Sequence, residues 1–453
     1  MKPALAPAHV SPIFPDDAPL RVGLLGIGTV GGGTCRVLKR NRQLIGARAG
    51  RAIELRALST RTLARAHGVV GHEVDLIADP AALVRRPDID VVVEAIGGCT
   101  AARQLVLAAI AHGKHVVTAN KALLAMHGEE IFAAARAQGV AVAYEGAVAV
   151  SIPIVKALRE GLAANEVSWL AGIVNGTSNF ILTRMRDAGL SFDDAVKEAQ
   201  ALGYAEADPT LDVGGFDAAH KLALLASLAF GMPLQFDKIA IEGIAAVQPI
   251  DQRLAARLGY AIKSLAVARR QADGVELRVH PALVPLSSLI ARVDGAMNGI
   301  LVGSDAAGLT MHYGAGAGSE QTASAVIADL IDIARLGHGD ARRAVPSLGV
   351  QPEALTELPV IAADEIVSRH YLRVTLVDGE TAASFVVALQ QHGISIETQL
   401  NPEVAEASDG QPLAVITRPI REWQMQAALA ALQASRPFAP PIARLRVEDL
   451  PPA

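Results

Sequence analysis

Aromatic residues are scarce in this chain, 4% of 453 residues, although 51% of residues are hydrophobic. The apolar content is therefore aliphatic, and disorder is excluded because disordered chains are poor in aliphatics. Long hydrophobic runs are also missing, since a bilayer span needs about 18 consecutive apolar residues. The best candidate, residues 222–230, is broken by Ser227, followed by Gly231, Met232 and Pro233, and reads as a buried helix. Cysteine is limited to Cys35 and Cys99, which excludes a disulfide framework and fits a reduced, cytoplasmic setting. No long run of one charge sign occurs, and 41 basic against 46 acidic residues leave a net charge of −5. That balance gives no reason to expect a nucleic-acid or membrane partner. Residues 1–19 lack the order of a signal peptide and are expected to be a loose tail.

From residue 20 onward, short aliphatic runs alternate with helical patterns. Strands are expected at 21–25, 52–58, 89–93, 115–118 and 140–144. Helices at 101–112 and 129–138 are each stopped by a glycine, Gly113 and Gly139, where a left-handed cap is wanted. Continuous apolar strands alternating with helices predict an α/β, doubly wound parallel sheet over residues 20–150. The rhythm then changes. Strand-like pieces at 168–174, 276–284, 299–303 and 309–313 lie among helical pieces at 153–160, 179–187, 192–202 and 217–230. This reads as an α+β substrate domain over residues 151–321. A helix at 322–336 is expected to pack back on the first domain, and residues 337–368, rich in Gly, Pro and charge, are read as a linker. Residues 369–448 give strand–helix–strand–strand–helix–strand, the order of a ferredoxin-like module.

The first strand runs into Gly26-Ile27-Gly28-Thr29-Val30-Gly31, followed by a helical stretch. In such a loop the first glycine allows a tight turn, the second admits a pyrophosphate, and the third lets helix and strand pack closely. Its place between strand and helix assigns it to dinucleotide binding in a Rossmann-type domain, with a structural turn as the alternative. The second strand ends at Leu58-Ser59-Thr60-Arg61. An Asp or Glu there would accept from the ribose 2′-hydroxyl of NAD(H), whereas an Arg suits a 2′-phosphate. The nearby acid, Glu54, lies inside the strand, so NADP(H) is expected to be preferred over NAD(H). The alternative is that Arg61 is simply a solvated loop residue.

The densest polar stretch is 202–221, where Glu206, Asp208, Asp212 and Asp217 precede an apolar helix. Asp217 and Lys221 are four apart and share one helix face. A lysine held against carboxylates near a pocket can donate a proton, and its pKa responds to burial. Taken singly, each of these residues is also explained by helix capping or a surface ion pair.

Residues 202–221, Leu202-Gly203-Tyr204-Ala205-Glu206-Ala207-Asp208-Pro209-Thr210-Leu211-Asp212-Val213-Gly214-Gly215-Phe216-Asp217-Ala218-Ala219-His220-Lys221, closely resemble the signature of the homoserine dehydrogenase family. Other motifs agree in order and spacing. They are Thr118-Ala119-Asn120-Lys121-Ala122-Leu123-Leu124-Ala125, Tyr144-Glu145 with residues 152–158, Gly172-Ile173-Val174-Asn175-Gly176-Thr177-Ser178-Asn179, and Tyr313-Gly314-Ala315-Gly316-Ala317-Gly318. The likeness covers about residues 20–335. It implies reversible NAD(P)H-dependent reduction of L-aspartate 4-semialdehyde to L-homoserine, a small-molecule substrate, in threonine, methionine and isoleucine biosynthesis. It also implies the roles of individual residues. Lys221 matches the proton-donating lysine, Lys121 a second lysine between cofactor and substrate, and Asp217 the acid beside the reacting oxygen. Glu206 matches the carboxylate that holds the substrate amino group, and Asp212, Thr177, Gly176 and Asn175 match substrate-binding positions. Ile27, Thr29, Val30 and Gly318 match cofactor contacts, beside Gly26, Gly28 and Gly31 of the loop, and Lys121 at the junction also faces the cofactor. Glu145, Val148, Val150 and Ile152 match a loop whose carbonyls hold a sodium ion. That loop departs from the family in lacking its usual glycines, with Val150 bulky and averse to positive φ.

Residues 370–378, with Gly393-Ile394-Ser395-Ile396, resemble the amino-acid-binding ACT domain. Glu380 and Thr381 stand where that family has Pro-Gly, so threonine as an effector and a purely structural pairing role both remain open. The resemblance implies a homodimer, with residues 151–321 as the dimerisation domain, or a homotetramer extended through the C-terminal module. The closest enzyme alternatives are aspartate-semialdehyde and diaminopimelate dehydrogenases. The former would need a catalytic cysteine, and Cys99 has no evident His partner. A non-catalytic amino-acid sensor is the alternative outside enzymes.

Overall fold

The computed structural model describes residues 18–62, 66–336, 344–376, 381–400, 411–435 and 439–452. The expected tail up to residue 17, the start of the expected linker at 337–343, and Asp378 and Glu380 lie outside them. The chain divides into two compact units, Met1–Val150 with Gly318–Ser347, and Ser151–Ala317 with Leu348–Ala453.

In the first unit, β1 (Leu20–Leu25), β2 (Ile53–Ser59), β3 (Asp75–Ile77), β4 (Val91–Glu94), β5 (His115–Thr118) and β6 (Val142–Ala143) form one sheet in the order β3-β2-β1-β4-β5-β6. Every neighbouring pair is parallel. This is the doubly wound order, in which a crevice opens at the strand C-termini between β1 and β4, where the order reverses. The strands are aliphatic on both faces because helices cover both. The helix Ser319–Leu336 completes one of these layers, and its Ala323, Val326, Leu330 and Ile333 share a core with Val22, Leu24 and Leu38. The helix Lys121–Gln138 starts two turns earlier than periodicity indicates. Asn120 caps it, its Oδ1 accepting from the Leu123 N–H at 3.1 Å.

In the second unit, β7 (Val167–Ile173), β8 (Ala240–Ile241), β9 (Tyr260–Gln271), β10 (Gly274–Pro285), β11 (Met297–Ser304), β12 (Gly308–Ala315), β13 (Val367–Leu376), β14 (Ile396–Leu400), β15 (Gln411–Thr417), β16 (Ile420–Arg421) and β17 (Ala439–Val447) make an 11-stranded sheet. Its main path is β12-β11-β7-β9-β10-β17-β13-β15-β14. The helix Phe216–Phe230 is apolar nearly all round, and Leu222, Leu224, Leu225 and Leu228 are buried, as a helix inside a protein core must be.

The run β17-β13-β15-β14 is antiparallel throughout and has the ferredoxin-like order. A short parallel pairing, Ala282 with Arg446 and Leu283 with Val447, sews it to β10, so one sheet passes through both regions. Residues 348–366 lie along this unit, where the Val275 N–H donates to the Pro359 carbonyl and the Ile361 N–H to the Val275 carbonyl, both at 2.9 Å. The seam at β10 and β17 is charged. Arg278 pairs with Glu448 at 2.8 Å and Glu276 at 3.2 Å, and Arg446 with Glu242 at 2.7 Å and Glu422 at 3.1 Å. Burial pushes the Glu448 carboxyl up, but the Arg278 charge, with His280 Nε2 at 3.3 Å, outweighs it and holds it at about 2. Burial drives His280 below the usual histidine range and His370 well below it. Among the described residues, no helix is long and apolar enough to cross a membrane.

Candidate active site

In the second unit, β7 ends at Ile173, and the chain turns through Val174 and Asn175 into the helix Gly176–Ala188. Asn175 caps this helix, its Oδ1 accepting from the Ser178 N–H at 2.8 Å. Its Nδ2 donates to Asp212 Oδ1 at 2.7 Å and to Asp217 Oδ2 at 2.8 Å. Asp217 sits in the first turn of the helix Phe216–Phe230, where the helix dipole favours an anion. One turn on, Lys221 Nζ donates to Asp217 Oδ2 at 2.6 Å and to the Val174 carbonyl at 2.7 Å. Lys221 is 6% exposed and Asp217 8%, so the spacing encodes a buried ion pair rather than a surface one. An ammonium has three N–H donors, and the third finds no partner among the described residues.

Neighbouring groups hold this cluster in place. Ser178 Oγ donates to the Asp212 carbonyl at 3.0 Å, and Asn298 Nδ2 donates to the Val174 carbonyl at 3.3 Å. Thr177 Oγ1 donates to the Tyr204 carbonyl at 2.7 Å, tying the helix start to the turn that carries Glu206. Glu206 itself is exposed. The structure thus joins Asn175, Asp212, Asp217 and Lys221 by hydrogen bonds, sets Gly176 and Thr177 at the adjoining helix start, and leaves Glu206 on the surface turn. Asn298 escaped sequence reasoning because a single Asn at the start of an aliphatic strand carries no motif.

In the first unit, Gly26 adopts φ +97, and a Cβ there would come within 2.7 Å of the Ala95 carbonyl oxygen. A Cβ on Gly31 would reach 2.1 Å from the Gly26 carbonyl, so only glycine lets the helix Thr29–Arg40 approach β1 this closely. Beside Gly28 there is open space, and no side chain caps the helix behind it. Its first-turn N–H groups, reached past Ile27, Thr29 and Val30, are therefore available to an anion such as a pyrophosphate. Ser319 Oγ donates to the Thr29 carbonyl at 2.5 Å and accepts from Arg36 at 2.7 Å, which brings neighbouring Gly318 to the same loop. The Gly26 N–H donates to the Ser59 carbonyl at 2.9 Å, linking the loop to the end of β2, where Arg61 is exposed. Glu54, inside β2, pairs with Arg42 and Arg56 at 3.3 and 3.1 Å. Lys121 opens the helix Lys121–Gln138 in this unit.

Glu145 is buried, and its N–H donates to Asp329 Oδ2 at 2.8 Å. Ala149 and Val150 have φ +53 and +54, so this loop follows a glycine-like path without glycine, a strained conformation for valine. The aversion of Val150 to positive φ is therefore overridden by its surroundings. Glu145, Val148 and Val150 close the first unit and Ile152 belongs to the second. Among the described residues, no group of three or more His, Cys, Asp or Glu is arranged to hold a metal.

Both cysteines are free. Burial pushes the Cys35 thiol up to about 11, and burial with the nearby Glu94 charge raises that of Cys99. Neither is a ready nucleophile, which removes support for a cysteine-dependent dehydrogenase.

Comparison with known proteins fits this geometry. The family model for homoserine dehydrogenase matches residues 153–331, and that for its NAD-binding domain matches residues 26–145. The homoserine dehydrogenase of Pseudomonas aeruginosa is 51% identical over 95% of this chain and 99% of its own. That of Neisseria gonorrhoeae is 47% identical over the same shares. The crystal structure of a homoserine dehydrogenase from Thiobacillus denitrificans superposes with a TM-score of 0.90 at 50% identity, covering 95% of this chain and 99% of that one. With a buried Lys–Asp pair, a doubly wound nucleotide domain and relatives of this closeness along nearly its whole length, the chain belongs to the homoserine dehydrogenase family.

Proposed function

We propose that the buried cluster around Lys221 is the catalytic centre for reducing L-aspartate 4-semialdehyde to L-homoserine, and that the first unit takes NADP(H) in preference to NAD(H). The observation that carries the catalytic reading is the Lys221 ammonium, held by Asp217 and the Val174 carbonyl with one N–H still to give. A bound nicotinamide dinucleotide supplies the hydride. As negative charge grows on the aldehyde oxygen, the Lys221 ammonium offsets it and delivers a proton. Asp217 orients that ammonium, and Asn175 and Asp212 keep Asp217 in place. Glu206 is proposed to hold the substrate ammonium, with Thr177 and the Asn175-Gly176 backbone alongside, and Lys121 to serve the cofactor side. NADP(H) preference is supported by the lack of an acid at the end of β2 and by exposed Arg61. Lys221→Ala should lower turnover at least about a hundredfold. Near-parental turnover in that variant would sink the assignment.

The remaining roles follow from the same resemblance. A sodium ion would be held by the carbonyls of Glu145, Val148, Val150 and Ile152, and turnover in sodium compared with potassium buffer tests it. The free cysteines fit a cytoplasmic enzyme. A homodimer or homotetramer is proposed, with threonine binding at the ferredoxin-like region to be read from a melting shift.

A further inference from the structure

Glu94 is the last residue of β4 and is 1% exposed. Its Oε1 accepts from the Ile96 N–H at 2.9 Å and the Gly97 N–H at 3.0 Å, and its Oε2 accepts from the Thr118 hydroxyl at 2.6 Å. All three donors are neutral. A buried carboxyl group is costly unless its acceptor positions are filled, and here the filling joins two separate segments. Thr118 Oγ1 accepts in turn from the Asn120 N–H at 3.0 Å. Asn120 then closes a ring, because its Nδ2 donates to the Gly98 carbonyl at 2.7 Å while its Oδ1 caps the helix that begins with Lys121. One carboxylate thus fixes both the loop after β4 and the turn after β5, at the C-terminal ends of strands next to the reversal point, where a doubly wound sheet binds its ligand.

The loop it fixes is open on its other side. Gly97 and Gly98 have φ +71 and +72, and a Cβ on either would meet nothing within 4 Å. Two bare left-handed glycines with free space beside them make a surface that a flat ring can approach closely. We propose that Glu94 is a positioning residue of the dinucleotide crevice, setting the Ile96–Gly98 wall and the start of the Lys121 helix together. This rests on the dinucleotide reading of the first unit.

The test is direct binding of NADPH and NADH to the full chain by fluorescence titration, with the melting temperature of each unliganded variant measured in parallel. Glu94→Ala frees two N–H groups and a hydroxyl, and should raise the dissociation constant for the better-bound dinucleotide at least about tenfold, since small misplacements near a reacting group are costly. Glu94→Gln keeps an oxygen for both N–H groups and should stay within about threefold of the parent. A purely structural role would lower the melting temperature of Glu94→Ala while leaving binding within about twofold at temperatures where it is folded, and that result overturns the proposal. Glu94→Gln binding as weakly as Glu94→Ala also overturns it, because charge and not position would then be responsible. If Glu94→Ala does not fold, Thr118→Val cuts the same link, and should weaken binding several-fold, about 1 kcal/mol for a buried hydrogen bond; unchanged binding overturns the proposal. A parent protein that binds neither dinucleotide would instead refute the dinucleotide reading itself.

Discussion

Removing Lys221 takes the ammonium away from a buried carboxylate. In Lys221→Met the Asp217 carboxylate, 8% exposed, loses an ammonium 2.6 Å away and keeps the neutral amide of Asn175. Breaking a buried pair by deleting one partner costs about 3–5 kcal/mol. In the double variant Asp217→Asn, Lys221→Met, both charges of the pair are gone, and the new amide oxygen can still accept from Asn175, so the loss should shrink to about 1–2 kcal/mol. Completing the cycle with Asp217→Asn should give a coupling of at least about 2 kcal/mol. Urea unfolding followed by tryptophan fluorescence reports it well, because both tryptophans, Trp169 and Trp423, lie in the second unit. Activity should behave differently. Loss of NADPH absorbance with aspartate 4-semialdehyde should fall at least about a hundredfold in both variants lacking Lys221, with no recovery in the double variant. If Lys221→Met unfolds within about 0.5 kcal/mol of the parent, the pair is not buried as argued. If the double variant regains turnover, the lysine is not the proton donor.

Three further outcomes follow from the geometry. Arg61→Glu should shift the NADPH-to-NADH preference in kcat/KM toward NADH by about tenfold, equal to 1.4 kcal/mol; an unmoved ratio would show Arg61 to be only a solvated loop residue. Stability should fall on acidification. The unfolded chain takes up protons on His280, His370 and Glu448 at higher pH than the folded chain does, so stability rises with pH. The contribution is complete above about pH 6.5, the histidine part is lost first on lowering pH, and the Glu448 part is lost between about pH 4.3 and about pH 2. Melting temperatures that stay flat from about pH 7.5 to about pH 4.5 would contradict this account of the charged seam. Cys99→Ala should keep turnover within about threefold, since its thiol is held protonated, and a collapse of activity would revive a thiol mechanism.

The nucleotide domain was the most readable part of the fold. β1 ends in an aliphatic stretch at the glycine loop, β4 carries three consecutive valines, and Gly113 and Gly139 mark helix ends at φ +70 and +67. β9 was not readable because Ala261 to Ala268 are buried on both faces, so neither alternation nor helical spacing stands out. β3, three residues long, is too short for any period. The early start of the helix Lys121–Gln138 was signalled by Asn120, a capping residue that periodicity alone passes over. In the catalytic cluster the residue types were visible, but their burial was not. The i, i+4 spacing of Asp217 and Lys221 fits a solvated pair equally well, and only packing against the Val174 turn excludes water. Glu94 was hidden for a similar reason. An acid ending an aliphatic strand reads as a strand boundary until Thr118 and the Ile96–Gly98 loop are seen to converge on it.

The most direct measurement is the consumption of NADPH on adding L-aspartate 4-semialdehyde to the purified chain, repeated with NADH. The account predicts rapid consumption with homoserine as the product, a higher kcat/KM with NADPH than with NADH, and near abolition in Lys221→Ala. No consumption of either dinucleotide, or undiminished consumption by Lys221→Ala, would contradict it.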